Sequence, residues 1–374
     1  MKLFNFNIIF ILSTILIIYM CSCYSYNISN SNVRVLDEVI DTTITEVSDE
    51  MKKKPEFFLI GAMKCGTTTL FAFLSTHPEI CNDVNKEKHF FDKDEKGYYK
   101  GYSWYLSLFQ GCNENQFYLD ATPRYINFDN VPLRIQETYG PTLLATKKFL
   151  LILREPVARH YSEYQMRVRV CRYIFKPPST KVREKNLDEE NEDRRLYSND
   201  TKRDLIWKPS LVRGETTCPK ITSNWYQWTQ TARKREKDLH IYTFAEWLAS
   251  PDGEQEIARG HYLQHITSWL MRVKRSQLFI VNFASLIADT PSTMTDVSKF
   301  LGLQHDWGPD AKLPLPAYAK PDTILDCKSF DYLDKHYKRI NQDLIAFINN
   351  HPDKPQYEPI FPEFVANRAV CVDM

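Results

Sequence analysis

Apolar residues fall along this chain in two spacings. Short continuous runs, Phe57 to Ile60, Phe117 to Asp120, Lys148 to Arg154 and Gln277 to Val281, carry the pattern of strands buried on both faces. Helical spacing marks Thr69 to Ser75, Tyr98 to Phe109, Pro132 to Tyr139, Pro156 toward Cys171, Arg259 to Leu270, Thr290 to Leu301 and Tyr332 to Asn349. Several boundaries are signposted. His77-Pro78 stops the first helix, Pro156 opens the fourth where its missing N–H costs least, and Gly302 closes the sixth. Strands alternating with helices predict an α/β fold, three layers around a mostly parallel central sheet. Ligands then belong at the carboxyl ends of the strands, where Lys64 and Arg154 both fall.

Outside these elements the pattern changes. Residues 8 to 20 are apolar behind a single charge at Lys2, so residues 1–23 read as a signal peptide or a signal anchor. Residues 24–54 are polar and read as a stem, 55–350 as the folded domain and 351–374 as a C-terminal tail. Within the domain, residues 172–220 lose all periodicity and read as a charged insertion, and residues 304 to 322 as a proline-rich loop. Either N-terminal reading sends the chain into the secretory pathway, as a single-pass type II membrane protein or as a lumenal or secreted one.

Nine cysteines suit that compartment. Cys171 and Cys218 flank the insertion and are a candidate disulfide, with two separate thiols as the alternative. Asn27 and Asn199 begin glycosylation sequons. A net charge of +1 gives no argument for nucleic acid. Arg167, Arg169, Arg172, Lys176 and the lysines from 181 to 185 read as a solvated basic face or as a grip on an anionic glycan.

The chemistry concentrates between the first strand and the first helix, in Gly61-Ala62-Met63-Lys64-Cys65-Gly66-Thr67-Thr68-Thr69. Backbone N–H groups at a helix N-terminus attract anions, and glycine lets them approach closely. A nucleotide P-loop requires Gly-x4-Gly-Lys-Ser/Thr, but here Thr67 follows Gly66 and the lysine sits inside the loop at position 64.

Together with that loop, Glu87-x-His89-Phe90-Phe91 and Leu153-Arg154-Glu155-Pro156 through Tyr164 resemble, in order, the motifs of Golgi carbohydrate sulfotransferases. The heparan-sulfate and N-acetylgalactosamine-4-sulfate 6-O types are the nearest in pattern. Gly260-x-Tyr262, Ser276-Gln277-Leu278 and Phe300-Leu301-Gly302-Leu303 extend the likeness, as does Tyr337-x3-Asn341-x2-Leu344, over about residues 55 to 350.

The resemblance implies sulfuryl transfer from 3′-phosphoadenylyl sulfate (PAPS) to a carbohydrate or glycan acceptor, with adenosine 3′,5′-bisphosphate (PAP) as product. It places the donor's 5′-phosphosulfate on Lys64, Cys65, Gly66, Thr67 and Thr68, with Thr69 opening the helix. It places the 3′-phosphate on Arg154 and Ser162. Tyr262 joins the donor-binding set, against its plainer reading as core. Glu87 is the family's general base and His89 its rival; apolar neighbours would raise the Glu87 pKa to a useful value. Lys64 would neutralise charge on the departing oxygen, so no metal is expected.

Two departures stand out. Where the family carries a lysine after the second strand, this chain has Ala121, and residues 304 to 327 lack the heparan-sulfate type's Lys-Gly-Arg tripeptide; both argue against the heparan-sulfate subtype. A Mg²⁺-dependent kinase or NTPase, or a non-catalytic glycan- or nucleotide-binding relative, are the competing readings.

Overall fold

The computed structural model describes residues 54–81, 83, 86–175, 242–304, 307 and 323–373, with the backbone alone for 169–175. The N-terminal apolar run, the stem, the charged insertion with Asn199 and Cys218, Asn27, and most of the proline-rich loop lie outside the described residues. Cys171 lies in a helix whose side chain there is not described, so the Cys171–Cys218 pairing lies outside them as well.

Four strands form one sheet among the described residues: β1 (Phe57–Gly61), β2 (Leu119–Asp120), β3 (Lys148–Leu153) and β4 (Leu278–Asn282), in the order β2-β1-β3-β4. Every neighbouring pair is parallel. β1 and β4 are buried throughout and β3 is buried after its first residue, which is why these strands read as unbroken apolar runs. From β1 the chain crosses to β2 on one side, and from β3 it crosses to β4 on the other. The connections leaving the carboxyl ends of β1 and β3 therefore diverge and open a crevice between them.

Ten helices fill the connections among the described residues. α1 (Thr67–Leu74) follows β1; α2 (Tyr102–Ser107) precedes β2; α3 (Asn130–Leu144) precedes β3; and α4 (Pro156–Phe175) follows it. Then come α5 (Phe244–Leu248), α6 (Pro251–Arg259) and α7 (Tyr262–Leu270), β4, α8 (Phe283–Ala288), α9 (Thr290–Leu301) and α10 (Cys327–Asn350). The sheet carries the main apolar core, and a smaller one of Val157, Tyr164, Phe244, Trp247, Phe330 and Leu333 joins α4, α5 and α10. None of the described helices is long and apolar enough to cross a membrane.

Several elements depart from expectation. The helix expected over 259–270 is two, since α6 ends at Gly260 and His261 leaves helical backbone before α7 begins. Gly260 lies against the Tyr337 ring, where a side chain would collide, so the break is imposed by α10. The aromatic segment 98–109 is one 3₁₀ turn and α2, parted by Gly101 at φ 82°. β2 keeps only two residues, and Phe117 makes an isolated bridge to Ile80 instead. α10 begins at Cys327, five residues before the periodic signal, because the Asp326 side chain caps it by accepting from Ser329 N at 2.7 Å. Helical spacing in the sequence resumes from Trp225, which α5 and α6 fall within, whereas α8, six residues long, carries too few turns to show a period.

Among the described residues two disulfides are formed, Cys81–Cys112 and Cys327–Cys371, and Cys65 is a buried free thiol. Residues 351–373 fold back on the domain. Phe361 enters the main core, Arg275 pairs with the Glu358 carboxylate inside the protein, and Ile280 N donates to that carboxylate at 2.7 Å.

Candidate active site

Residues expected at the site gather at the carboxyl ends of β1, β2 and β3, and Tyr262 joins them from the start of α7. After β1 the chain turns through Met63 and Cys65 into α1, with Cys65 N donating to Ala62 O at 3.2 Å. Gly66 takes φ 92°, and a Cβ there would lie 2.5 Å from the Phe283 ring. Only glycine meets both demands without strain. No side chain caps α1 and no acidic residue occupies its first turn, so the end carrying Thr67, Thr68 and Thr69 keeps its attraction for an anion. Thr68 is exposed there while Thr67 and Thr69 are buried. α4 differs, since Val157 N and Ala158 N donate to Glu155 at 2.8 and 2.7 Å.

Lys64 and Arg154 are both half-buried and their loops touch, the Arg154 guanidinium donating to Lys64 O at 3.4 Å. It also stacks over Phe283 at 5.1 Å, so that ring, from the end of β4, packs against both Gly66 and Arg154. Tyr262 O–H donates to Arg154 O at 3.0 Å and lies 3.5 Å from Cys65 Sγ. Both side chains are buried, and burial pushes the Cys65 thiol and the Tyr262 hydroxyl up, so neither ionises near neutrality. Tyr262 thus braces the two loops. Ser162 is half-buried on α4, two turns beyond Arg154.

Glu87 and His89 hang from the end of β2. Glu87 N donates to Ala121 O at 3.1 Å, and the N–H groups of Phe90 and Phe91 donate to the Tyr125 hydroxyl at 3.1 and 3.3 Å. That hydroxyl in turn donates to Asp120, a buried carboxylate that also receives Tyr105 and Thr122. Both Glu87 and His89 hold left-handed backbone, at φ 66° and 52°. His89 is bracketed by carboxylates, with Nδ1 2.9 Å from Asp92 and Nε2 3.5 Å from Glu87.

The expected rise in the Glu87 pKa does not occur. Desolvation pushes it up, but the hydrogen bond from His89 and the charge of Lys86, 2.6 Å away, outweigh it and bring the carboxyl down to about 2. Glu87 keeps 41% of its side chain exposed, and Phe90 and Phe91 turn into the core instead of covering it. For His89, desolvation pulls down while Asp92 and Glu87 pull up harder, reaching about 9. Near neutrality the pair is carboxylate and imidazolium, and His89 has no lone pair free to serve as base.

Sequence reasoning missed Arg159, Glu256, Phe283 and Asp92. Arg159 is buried and donates to Met63 O at 3.3 Å and Glu256 O at 3.0 Å, while also pairing with the Glu256 carboxylate. Arg167 is buried too, held by Glu163 at 2.9 Å and Glu256 at 3.1 Å, which removes it from any solvated or glycan-gripping face. Only Asp92 had a signal, its three-residue spacing from His89; the others meet the site from far along the chain.

A sulfotransferase domain family model matches residues 54–202 and 212–335. The chain belongs to that family. Sulfuryl transfer from PAPS is its reaction class, and the chain is an enzyme. Among curated relatives, membrane-associated sulfotransferase kil1 of Dictyostelium discoideum is 25% identical over 333 residues, 82% of this chain and 68% of its own. Heparan sulfate glucosamine 3-O-sulfotransferase 3A1 of Mus musculus is 35% identical over 264 residues, 70% of this chain. The chain spans 50% of that relative's length. A sulfotransferase structure from Alicyclobacillus acidocaldarius aligns at 23% identity, covering 79% of this chain and 96% of that one, with a TM-score of 0.46. In sulfotransferase terms, the loop between β1 and α1 and the end of β3 form the candidate donor side, and the Glu87–His89 loop the candidate acceptor side.

Proposed function

We propose that the protein transfers a sulfuryl group from PAPS to a hydroxyl of a carbohydrate in the lumen of the secretory pathway. The observation that carries this reading is the contact between the Arg154 guanidinium and the Lys64 carbonyl, which joins the end of β3 to the glycine turn after β1 and brings two cationic residues together at the carboxyl edge of the sheet. Two anionic groups at opposite ends of a donor need such a pair. The Lys64–Thr69 turn takes the 5′-phosphosulfate, and Arg154 with Ser162 takes the 3′-phosphate. We read the fold more finely as a P-loop-NTPase-like three-layer sandwich, on the strength of the strand, glycine turn and helix around Gly66.

In this scheme the acceptor oxygen bonds to sulfur as the bond from sulfur to the 5′-phosphate oxygen breaks. Lys64 neutralises the charge left on that phosphate, and Glu87 takes the acceptor proton. A carboxyl with a pKa of about 2 is a weak base. An acceptor that excludes water from Glu87 and displaces Lys86 raises it toward a working value. Asp92 keeps the imidazolium of His89 facing Glu87.

A carbohydrate acceptor is supported by the likeness to a heparan sulfate sulfotransferase. The two disulfides suit an oxidising lumen, and the name of kil1 agrees with membrane association through residues 1–23. The test is a panel of glycosaminoglycans, oligosaccharides and small alcohols with radiolabelled PAPS in EDTA. Label should pass to a carbohydrate, Lys64→Ala and Arg154→Ala should each abolish it in folded protein, and Glu87→Gln should bind PAP without turnover. No PAP binding and no labelled product would refute the proposal, and a strict Mg²⁺ requirement would favour an NTPase.

A further inference from the structure

Lys64 holds φ 65°, a left-handed conformation that strains a residue with a Cβ and persists only where its surroundings impose it. The restraint comes from beneath the loop. Arg159, from the first turns of α4, sends Nε to Met63 O at 3.3 Å. In a planar trans peptide the carbonyl and the following N–H point in opposite directions, so fixing Met63 O fixes the orientation of the Lys64 backbone.

Arg159 is itself immobilised. Its Nη1 donates to Glu256 O at 3.0 Å and its Nη2 pairs with the Glu256 carboxylate, which also receives Arg167 and Arg259. All four side chains are buried. A guanidinium with a fixed fork can serve a carboxylate and a carbonyl at once, and the point charge of an ammonium cannot reproduce that geometry.

We propose that Arg159, anchored by Glu256, is a positioning residue for sulfuryl transfer: it holds the Met63–Lys64 peptide in the orientation that aims Lys64 at the donor. Arg159 touches neither substrate. It acts through the loop, coupling α6, some hundred residues downstream, to the donor side. The inference rests on the donor reading of that loop.

The discriminating variant is Arg159→Lys, which keeps the charge beside Glu256 and loses the fork. Calorimetry with PAP gives affinity and stoichiometry separately, so unfolded protein lowers the stoichiometry and leaves the Kd of the folded fraction intact. The expected result is a Kd for PAP weakened about tenfold or more, with a matching rise in KM for PAPS and an unchanged acceptor KM. Wild-type Kd and KM in Arg159→Lys, or losses confined to stoichiometry and Tm, would overturn the positioning role while leaving the sulfotransferase reading standing. If wild-type protein itself binds no PAP, both fall. Should Arg159→Lys fail to fold, Glu256→Gln is read by the same two numbers, and an unchanged Kd there likewise overturns the proposal.

Discussion

Glu87, His89 and Asp92 act as one electrostatic unit whose pH behaviour follows from the two opposite shifts. Glu87 falls from 4.5 to about 2 on folding, so its pairing contributes in full above the unfolded value and is lost as pH drops through about 2. His89 rises from 6.5 to about 9, so its contribution is full below 6.5 and is lost as pH climbs through about 9. The unit is whole between about 4.5 and 6.5. Its magnitude is damped by the exposure of Glu87. We expect the Tm difference between wild type and His89→Gln to be largest near pH 5 to 6 and to close toward pH 10. An NMR titration should put the His89 midpoint near 9, and Asp92→Asn should lower it toward 6.5. A wild-type midpoint at 6.5 would show that the carboxylates do not hold the ring. Glu87, His89 and Asp92 were visible in the sequence, but their charges were not. Lys86 is a neighbour that the sequence displays; only the folded loop sets its ammonium 2.6 Å from Glu87.

Among elements, the turn from β1 into α1 combines local and distant causes. Its glycine was legible from Gly66 standing before a helix. The partner that makes glycine obligatory, Phe283, lies at the end of β4 and is brought near by strand order. Gly66→Ala should therefore suffer twice. The left-handed backbone costs roughly 1–2 kcal/mol, and the collision with the ring about 1–3 kcal/mol more. Adding Phe283→Ala should relieve the collision and leave the backbone cost, so the double mutant should fold better than Gly66→Ala with PAP binding still impaired. Denaturant melts and calorimetry would report this, and a Gly66→Ala protein as stable as wild type would remove the turn's strain as a cause. The strands showed in the sequence because burial on both faces demands unbroken apolar runs. α8 did not, because six residues give too few turns to establish a period.

At the scale of the whole molecule, residues 351–373 are tied to the domain at several points. Cys371 bonds Cys327, Val372 bridges Asp326, and Glu358 meets Arg275 inside the protein. A chain stopped after Asn350 would leave the Arg275 guanidinium buried without that carboxylate, which costs about 3–5 kcal/mol. It should express poorly or melt far below the full chain, and a truncated protein with unchanged Tm would show the segment to be dispensable. Each disulfide closes a loop of several tens of residues, for which chain entropy gives roughly 3–4 kcal/mol. Cys371→Ser should lower the Tm by several degrees without altering the Kd for PAP, since that bond lies at the C-terminal segment and not on the donor loop. The pairing could not be read from seven cysteines beyond the N-terminal run, because each bond joins segments that only the fold brings together.

The sequence by itself determined the strands, the anion-attracting turn at Lys64 and Gly66, and the order of motifs, because each rests on neighbours within a few residues. Periodicity, a helix N-terminus and glycine's freedom are local physics. Tertiary structure decided what those residues experience: the low pKa of Glu87, the burial of Cys65 and Tyr262, and the Arg159–Glu256 anchor under the loop. The last two depend on groups roughly one to two hundred residues apart meeting at the end of a parallel sheet, which no local pattern encodes, and the first depends on the folded loop that sets Lys86 and His89 against Glu87. The donor turn was thus legible as a cradle, and the contacts that hold it to a single shape were not.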